Sequence, residues 1–512
     1  MCSISLSASK PKRLLKIGSR ENGIEAASLV EYDKHTEKYA TLSYCWGQGD
    51  NFKLTVATED ALRHGISLAD LPATIRDAIK ITKMLGLTYI WVDALCIRQD
   101  NASDWEDQAS KMAGIYEGCT IMIAPTQAAD CSHGFLPRRQ PSLEFRSTSL
   151  PCAKHIRHPT ASVIVHIRSR PRCQDDASTS KSYAYHAGNF NSTVYPLFTR
   201  AWCFQEHTLA PRVLYIDNTE FSYSCRSGRI CECNGPENWT LGDFGDIHQV
   251  SKASIQELRM ASHFGEDLSA DDVLRKWQDT TVQYSGRKLT FHRDKLTALS
   301  AIADIIPRGV LGDYVAGLWS YRLIDQLCWC IFGPRTPRPE DNTAPSFSWA
   351  STVGVVWWMV SLEDGDDCYY STVTGWSAVA SGLNPFGEVD RASVRLSGPL
   401  ITARAKRGVD RKMQLHVLSP SGFQLGFYYD CLGEIVDGAS TALVPIRRAG
   451  RYFLFLVLVP VPNSIGINTF RRVGIADLGA STDSHWLEGV DRTEITIVWW
   501  GGINFKKAIA CG

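Results

Sequence analysis

The order of apolar and polar positions divides the first 125 residues into short alternating elements. "RLLKIG" and "YATLSYCWG", within residues 12–50, read as two strands separated by a polar turn around Asp33 to Lys38. The second strand runs into Gly47, Gly49 and Asp50, which is turn chemistry. "SLADLPATIRDAIKITKMLGL" predicts a helix, with Pro72 in its first turn, an apolar stripe at Ile75, Ala78, Ile79 and Met84 or Leu85, and Gly86 at its end. "TYIWVDAL" is a run of strand formers suited to a fully buried strand. "SDWEDQASKMAGIYEGC" predicts a second amphipathic helix capped by Ser103 or Asp104, and "TIMIAP" another buried strand. Strands alternating with helices point to a doubly wound α/β unit, whose ligand site lies at the carboxyl ends of the strands.

Beyond it the pattern changes twice. Residues 130–195 are polar and rich in Ser, Thr and Arg, as expected of an insertion or long loop, before "RVLYID" restores a strand. A helical region follows at roughly 250–330. After the proline-rich loop at 334–345 come short β-like runs such as "ASVRLSGPLITARAK", "YFLFLVLVPV" and "TEITIVWW".

Composition narrows the function. In 512 residues, hydrophobic residues are 44% and charged residues 21%, an ordinary globular profile. Lys plus Arg equals Asp plus Glu at 54 each, so no global field draws the chain to nucleic acid or an anionic membrane. The longest apolar run, from Tyr452, is too short for a bilayer and is broken by Pro460 and Pro462. No secretory h-region opens the chain, and Cys45, Cys96, Cys119, Cys203, Cys328 and Cys330 sit in apolar segments. The expectation is a soluble cytoplasmic protein with reduced thiols.

Phosphate-loop, dinucleotide-fold, zincin and nucleophile-elbow motifs are absent from the sequence. Cys225, Cys231 and Cys233, with His207, form at best half of a zinc site, and reduced structural thiols are the expectation. In "YIWVDALCIRQDN", Asp93 and Gln99 follow a buried strand, where they serve either a ligand or the local backbone, while Cys96 fits packing. In "RAWCFQEHTLAP", Glu206 lies one helical turn after Trp202 and Cys203. Apolar neighbours raise a carboxylate's pKa and strengthen its effect on a nearby cation, as glycosidic cleavage requires. The alternative is a structural pair with Arg200 or Arg212. The pairs Trp357-Trp358 and Trp499-Trp500 are expected to serve packing.

"YATLSYCWG", the stretch from "LPATIRDAIK" through "TIMIAP", and "RAWCFQEHTLAPRVLYI" resemble, in order and spacing, the three blocks of the fungal heterokaryon incompatibility (HET) domain. Later segments resemble regions that follow the domain in large HET proteins. The resemblance implies an α/β fold: a parallel-sheet N-terminal HET domain distantly similar to the Toll/interleukin-receptor (TIR) domain over residues 1–220, with the insertion at about 130–195. A helical region at 221–335 and a β-rich part at 336–512 complete the expected organisation. It implies a role in non-self recognition and programmed cell death. Trp202-Cys203-x-x-Glu206 is similar to the TIR W-C-x-x-E signature, which makes Glu206 the carboxylate for NAD glycohydrolysis. The insertion separates Glu206 from the strand blocks further than in a compact TIR domain.

By the same resemblance Ser43, Tyr44, Trp46 and Gly47 border the nucleotide, Trp202 walls the pocket, and Asp93 and Gln99 orient ribose or loop backbone. NAD enters as substrate, with no cofactor or metal expected. Self-association and an unidentified incompatibility partner protein are expected, without nucleic acid or a membrane span. A non-enzymatic self-associating interaction module, or a specialised-metabolism enzyme on a HET scaffold, are the other readings.

Overall fold

The computed structural model describes residues 9–19, 23, 25–33, 38–47, 52–136, 146–151, 162–167, 195–216, 221–226, 228–231, 255, 257–259, 261–262, 268–341, 344–362, 368–407, 413–418, 424–449, 452–461, 468–479 and 492–500. β1 (Arg13–Ser19) buries its first three residues and pairs antiparallel with β2 (Glu25–Glu31), a strand the sequence pattern does not reveal. The short "EAASLVE" lies in what reads as connecting sequence. β3 (Ala40–Leu42) is fully buried, and helix α1 (Val56–His64) follows it with a single buried residue, Leu62. β4 (Ile66–Ser67) edges β2.

Helix α2 (Ala73–Met84) begins just after Pro72, and Gly86, with a φ of 73°, takes the left-handed turn that ends it. Its buried face is Ile75, Ala78, Ile79, Ile81 and Thr82, while Met84 and Leu85, expected on the stripe, are exposed. β5 (Tyr89–Trp91) stops earlier than "TYIWVDAL" suggests, because Asp93 opens a one-turn helix, α3 (Asp93–Cys96). α4 (Ala102–Glu117) is capped by Asn101, whose carboxamide oxygen accepts from the Asp104 amide at 2.9 Å, rather than by Ser103 or Asp104. β6 (Ile121–Pro125) is buried throughout.

Of the polar stretch at 130–195, the described part includes a hairpin, β7 (Arg146–Pro151) with β8 (Ser162–Ile167). α5 (Ala201–Leu209) then leads into β9 (Arg212–Ile216), β10 (Phe221–Cys225) and β11 (Gly228–Cys231).

These strands form one sheet in the order β11-β10-β9-β6-β3-β5-β1-β2-β4. Only the centre is parallel: β5 and β6 flank β3, and β9 follows β6. Both margins are antiparallel hairpins, so the expected parallel sheet is the middle of a mixed one. In chain order the parallel strands run second, first, third, fourth. A sheet wound this way has its switch point between β3 and β6, where the chain leaves the first strand in opposite directions and a crevice opens beyond the carboxyl ends.

α6 (Ala270–Ser285), capped by Ser269, starts the middle region, followed by α7 (Ser300–Ile305), the hairpin β12 (Tyr314–Val315) with β13 (Leu318–Trp319), α8 (Leu323–Gln326), and β14 (Trp329–Phe332) paired with β15 (Val355–Trp358). The region is thus helical with one tight hairpin and one two-stranded antiparallel pair inserted. The rest is β: β16 (Cys368–Tyr369), β17 (Thr372–Ala380), β18 (Val389–Pro399), β19 (Ile401–Arg407), β20 (Met413–Val417), β21 (Gln424–Tyr429), β22 (Ser440–Ala449), β23 (Tyr452–Pro460), β24 (Thr469–Gly479) and β25 (Arg492–Trp500).

Successive pairing of β22, β19, β20, β21, β24, β23 and back to β22 closes a six-stranded barrel. Leu415, Leu425, Phe455, Val457 and Val473 are among the apolar side chains in its core. A larger core joins the middle region to β18 and to the barrel's β22–β24, and it reaches α5 through Ala201, Phe204 and Leu209. Cys203 and Ala210 belong to the separate core of the N-terminal sheet.

Candidate functional site

α5 is a helix with two buried faces. At about 100° per residue, Cys203, Glu206, His207 and Ala210 share one side, and Ala201, Phe204 and Gln205 lie opposite. The second side meets the middle region. The Ala201 amide donates to the Lys288 carbonyl at 2.9 Å, and the Lys288 amide donates to the Thr199 carbonyl at 2.6 Å. The Ala301 amide donates to the Gln205 side-chain oxygen at 3.2 Å. Phe204 lies between Tyr284, 5.7 Å away between ring centres, and the Arg287 guanidinium at 4.8 Å. Trp202 belongs to this side too: it packs on the middle-region core and hydrogen-bonds the Asp294 carboxylate. Trp46, by contrast, packs on the N-terminal core to which Cys203 belongs.

The first side faces the carboxyl ends of the central strands. Glu206 is only 6% exposed. Burial pushes its pKa up to about 7, against hydrogen bonds from Ser43 and Tyr116 and the pull of the Arg200 guanidinium; Asp93 adds to the rise. Ser43 follows β3, its amide donating to the Ile123 carbonyl of β6 at 3.0 Å, so it stands at the switch point. Its hydroxyl also meets the Cys203 thiol and lies 3.2 Å from His207 Nε2. Burial, with Glu206 nearby, keeps the Cys203 thiol well above its usual pKa. Burial does the same for the Tyr116 phenol, which Glu206 and Asp93 reinforce.

Arg200, just before α5, donates to the Tyr44 carbonyl. Burial opposes its charge, yet Cys203, Glu206, Cys45 and Asp93 around it hold its pKa above the ordinary value. One cation thus serves both the Asp93 and the Glu206 carboxyl groups, while Arg212 turns away to the Thr120 carbonyl at 3.2 Å.

Asp93 accepts from the Trp46 indole at 2.9 Å and from the Ala94 amide at 2.7 Å, and burial raises its pKa although Arg200 opposes the rise. Gly47, with a φ of 82°, approaches so close to Asp130 that an added Cβ would lie 2.3 Å from the Asp130 Cβ. Gln99 donates to the carbonyls of Asp93 at 3.1 Å and Ile97 at 3.0 Å, which ties down the α3 loop.

Ser43, Trp46, Asp93 and Glu206 therefore come together at one strand edge. The Tyr44 phenol is buried in the same core with Asp93 nearby, whereas Gln99 serves the backbone and Trp202 faces the middle region. Arg200, one of the two arginines the sequence offered as a partner for Glu206, is the one that faces it, and Tyr116 as a carboxylate partner is the residue sequence reasoning missed. The buried pair Ile115 and Tyr116 at the end of α4 was the available signal for it.

His207 bonds Ser43, Cys225 is half-buried, and the side chains of Cys231 and Cys233 lie outside the described residues. No group of three or more His, Cys, Asp or Glu able to hold a metal occurs among the described residues. No described helix is long and apolar enough to cross a membrane. No curated protein and no solved structure gives a significant match to the chain. Residues 39–206 match the family model described as heterokaryon incompatibility protein (HET), a span that begins just before β3 and ends on Glu206 itself, and the chain therefore carries a HET domain.

Proposed function

We propose that this is a cytoplasmic HET-domain protein of fungal incompatibility that promotes cell death on non-self recognition by cleaving the nicotinamide–ribose bond of NAD at Glu206. The observation that carries the reading is a buried carboxylate at the switch point of a centrally parallel sheet, with its pKa raised to about 7. The winding order also supports a TIR-like domain. Cleavage of an N-glycosidic bond passes through an oxocarbenium-like transition state, and an anion in an apolar setting stabilises it more than one in water. Ser43, Tyr116 and Arg200 keep Glu206 ionisable near neutral pH. Trp46, held by Asp93, supplies the aromatic wall. Self-association would complete such a site from a neighbouring copy.

The test is nicotinamide release by purified protein at low and high concentration, with Glu206→Gln alongside. Release by the wild type and a loss of at least about 100-fold in the variant is the expected result. Equal rates for the two proteins exclude Glu206 as the catalytic group.

The burial of Glu206 favours a second reading, in which a carboxylate satisfied by Ser43 and Tyr116 fastens α5 and the domain acts as a self-associating module. Toxicity that survives Glu206→Gln is its signature.

A further inference from the structure

We propose that Tyr195, Phe198 and Tyr215, gathered round His207, form the subsite for the nicotinamide ring. The inference rests on the NAD reading above and deepens it, since it gives the leaving group of that reaction a place beside Glu206.

The rows of the sheet build the subsite. β3 and β6 pair Leu42 with Ile123, and β6 and β9 pair Ala124 with Tyr215. Ser43, one step beyond Leu42, therefore stands in the row of Ala124 and Tyr215, and side chains of one row point to the same face. Neighbouring strands lie ~4.8 Å apart, so Ser43 and Tyr215 are separated by roughly 10 Å, with the small Ala124 between them. His207 of α5 sits over that gap: its Nε2 is 3.2 Å from the Ser43 hydroxyl, and its ring centre is 5.4 Å from that of Tyr215. Phe198, in the short turn Pro196–Thr199 before α5, meets the imidazole edge-on at 5.6 Å and Tyr215 at 5.9 Å. Tyr195 follows, 6.0 Å from Phe198.

Exposure separates this cluster from ordinary core. His207 is buried, whereas Tyr195, Phe198 and Tyr215 are each half-buried, so the three rings keep open surface at the carboxyl ends of the strands. Trp91 and Tyr116, which also meet edge-on at 5.5 Å, are by contrast both closed off. Open aromatic surface takes a planar ring by offset and edge contacts, which add to the gain from buried area.

Position selects which ring of NAD sits there. The nicotinamide nitrogen is bonded directly to the ribose carbon that becomes the cation at Glu206, while the adenine lies beyond a diphosphate and a second ribose. His207 is the residue next to Glu206 and shares its side of α5. The ring one bond from the reacting carbon is therefore the one that meets the cluster. These contacts hold the ring alike before and during cleavage, so they act on binding and leave the barrier of the chemical step unchanged.

The experiment titrates the full chain with nicotinamide alone and with adenosine monophosphate alone, followed by NMR of the added compound. The proteins are wild type, Phe198→Leu, Tyr215→Leu and Tyr215→Phe, with urea midpoints to establish that each is folded, and NAD turnover is measured on the same set. Phe198→Leu and Tyr215→Leu should each weaken nicotinamide by about 3- to 10-fold and leave adenosine monophosphate unchanged, while Tyr215→Phe binds as the wild type does. The KM for NAD should rise by the same factor with kcat nearly unchanged. Adenosine monophosphate weakened as much as nicotinamide, or in its place, overturns the assignment. Nicotinamide that fails to bind, or binds both leucine variants as well as the wild type, also overturns it and leaves the rings as packing round His207. Absence of nicotinamide release by the wild type overturns the NAD reading alone, and the ring subsite stands if nicotinamide still binds and Tyr215→Leu weakens it.

Discussion

Glu206 sets activity and stability against each other over a single pH window. Its carboxyl group titrates near the usual 4.5 when unfolded and about 7 when folded, so between those values the folded chain holds a proton that the unfolded chain has lost. Stability therefore falls as pH rises through this window, and above about pH 7 the full cost is about 3 kcal/mol. The ionised form that stabilises a ribosyl cation grows in over the same interval. Glu206→Gln should match the wild type in urea midpoint near pH 4.5 and exceed it at pH 8, while wild-type kcat climbs to a plateau above pH 7. A variant less stable than the wild type at pH 8 would refute the raised pKa. Of this site, Ser43, Trp46, Asp93 and Glu206 were legible because each borders a strand end or a family block. Arg200 was legible only as one of two possible partners of Glu206, and Tyr116 not at all, since their roles depend on which helix face meets which strand.

α5 is where the element scale matters most, because one short helix carries the Glu206 site on one face and joins a second core with the other. Sequence made the helix visible but not its double burial: Trp202 read as a pocket wall, yet its indole bonds Asp294 on the far side. Similar limits explain the other differences. "EAASLVE" and "VATEDALRH" each bury few residues, so neither shows a periodic stripe. Barrel closure depends on β22 finding β23 and β19 at once, which no local pattern encodes. Phe204→Ala should remove the contact with Tyr284 and Arg287 and cost about 3–5 kcal/mol in chemical denaturation. It should also lower kcat although Phe204 points away from Glu206, because a looser helix holds the carboxylate less firmly. Loss of stability with unchanged kcat would show that α5 does not need its brace.

At the scale of the molecule, the barrel is tied to the middle region by buried charge as well as by apolar packing. Arg472 on β24 is fully buried and donates to Asp430 at 2.9 and 3.2 Å, to the Leu327 carbonyl at 2.6 Å and to the Trp329 carbonyl at 2.6 Å. Its guanidinium also lies 3.6 Å from the centre of the Trp329 ring. Arg447 on β22 makes a second fully buried pair with Asp325 of α8. Such pairs gain little over well-packed apolar side chains, but breaking one leaves the partner charged in an apolar medium. Arg472→Met should therefore cost about 3–5 kcal/mol, most of it from stranding Asp430 and the two carbonyls. Adding Asp430→Asn should return part of that loss by removing the charge. The comparison requires only urea midpoints of the two variants and wild type at pH 7. If the double variant is less stable than Arg472→Met alone, the stranded carboxylate is not the source of the cost, and the Leu327 and Trp329 carbonyls, which the second substitution leaves unbonded, must be.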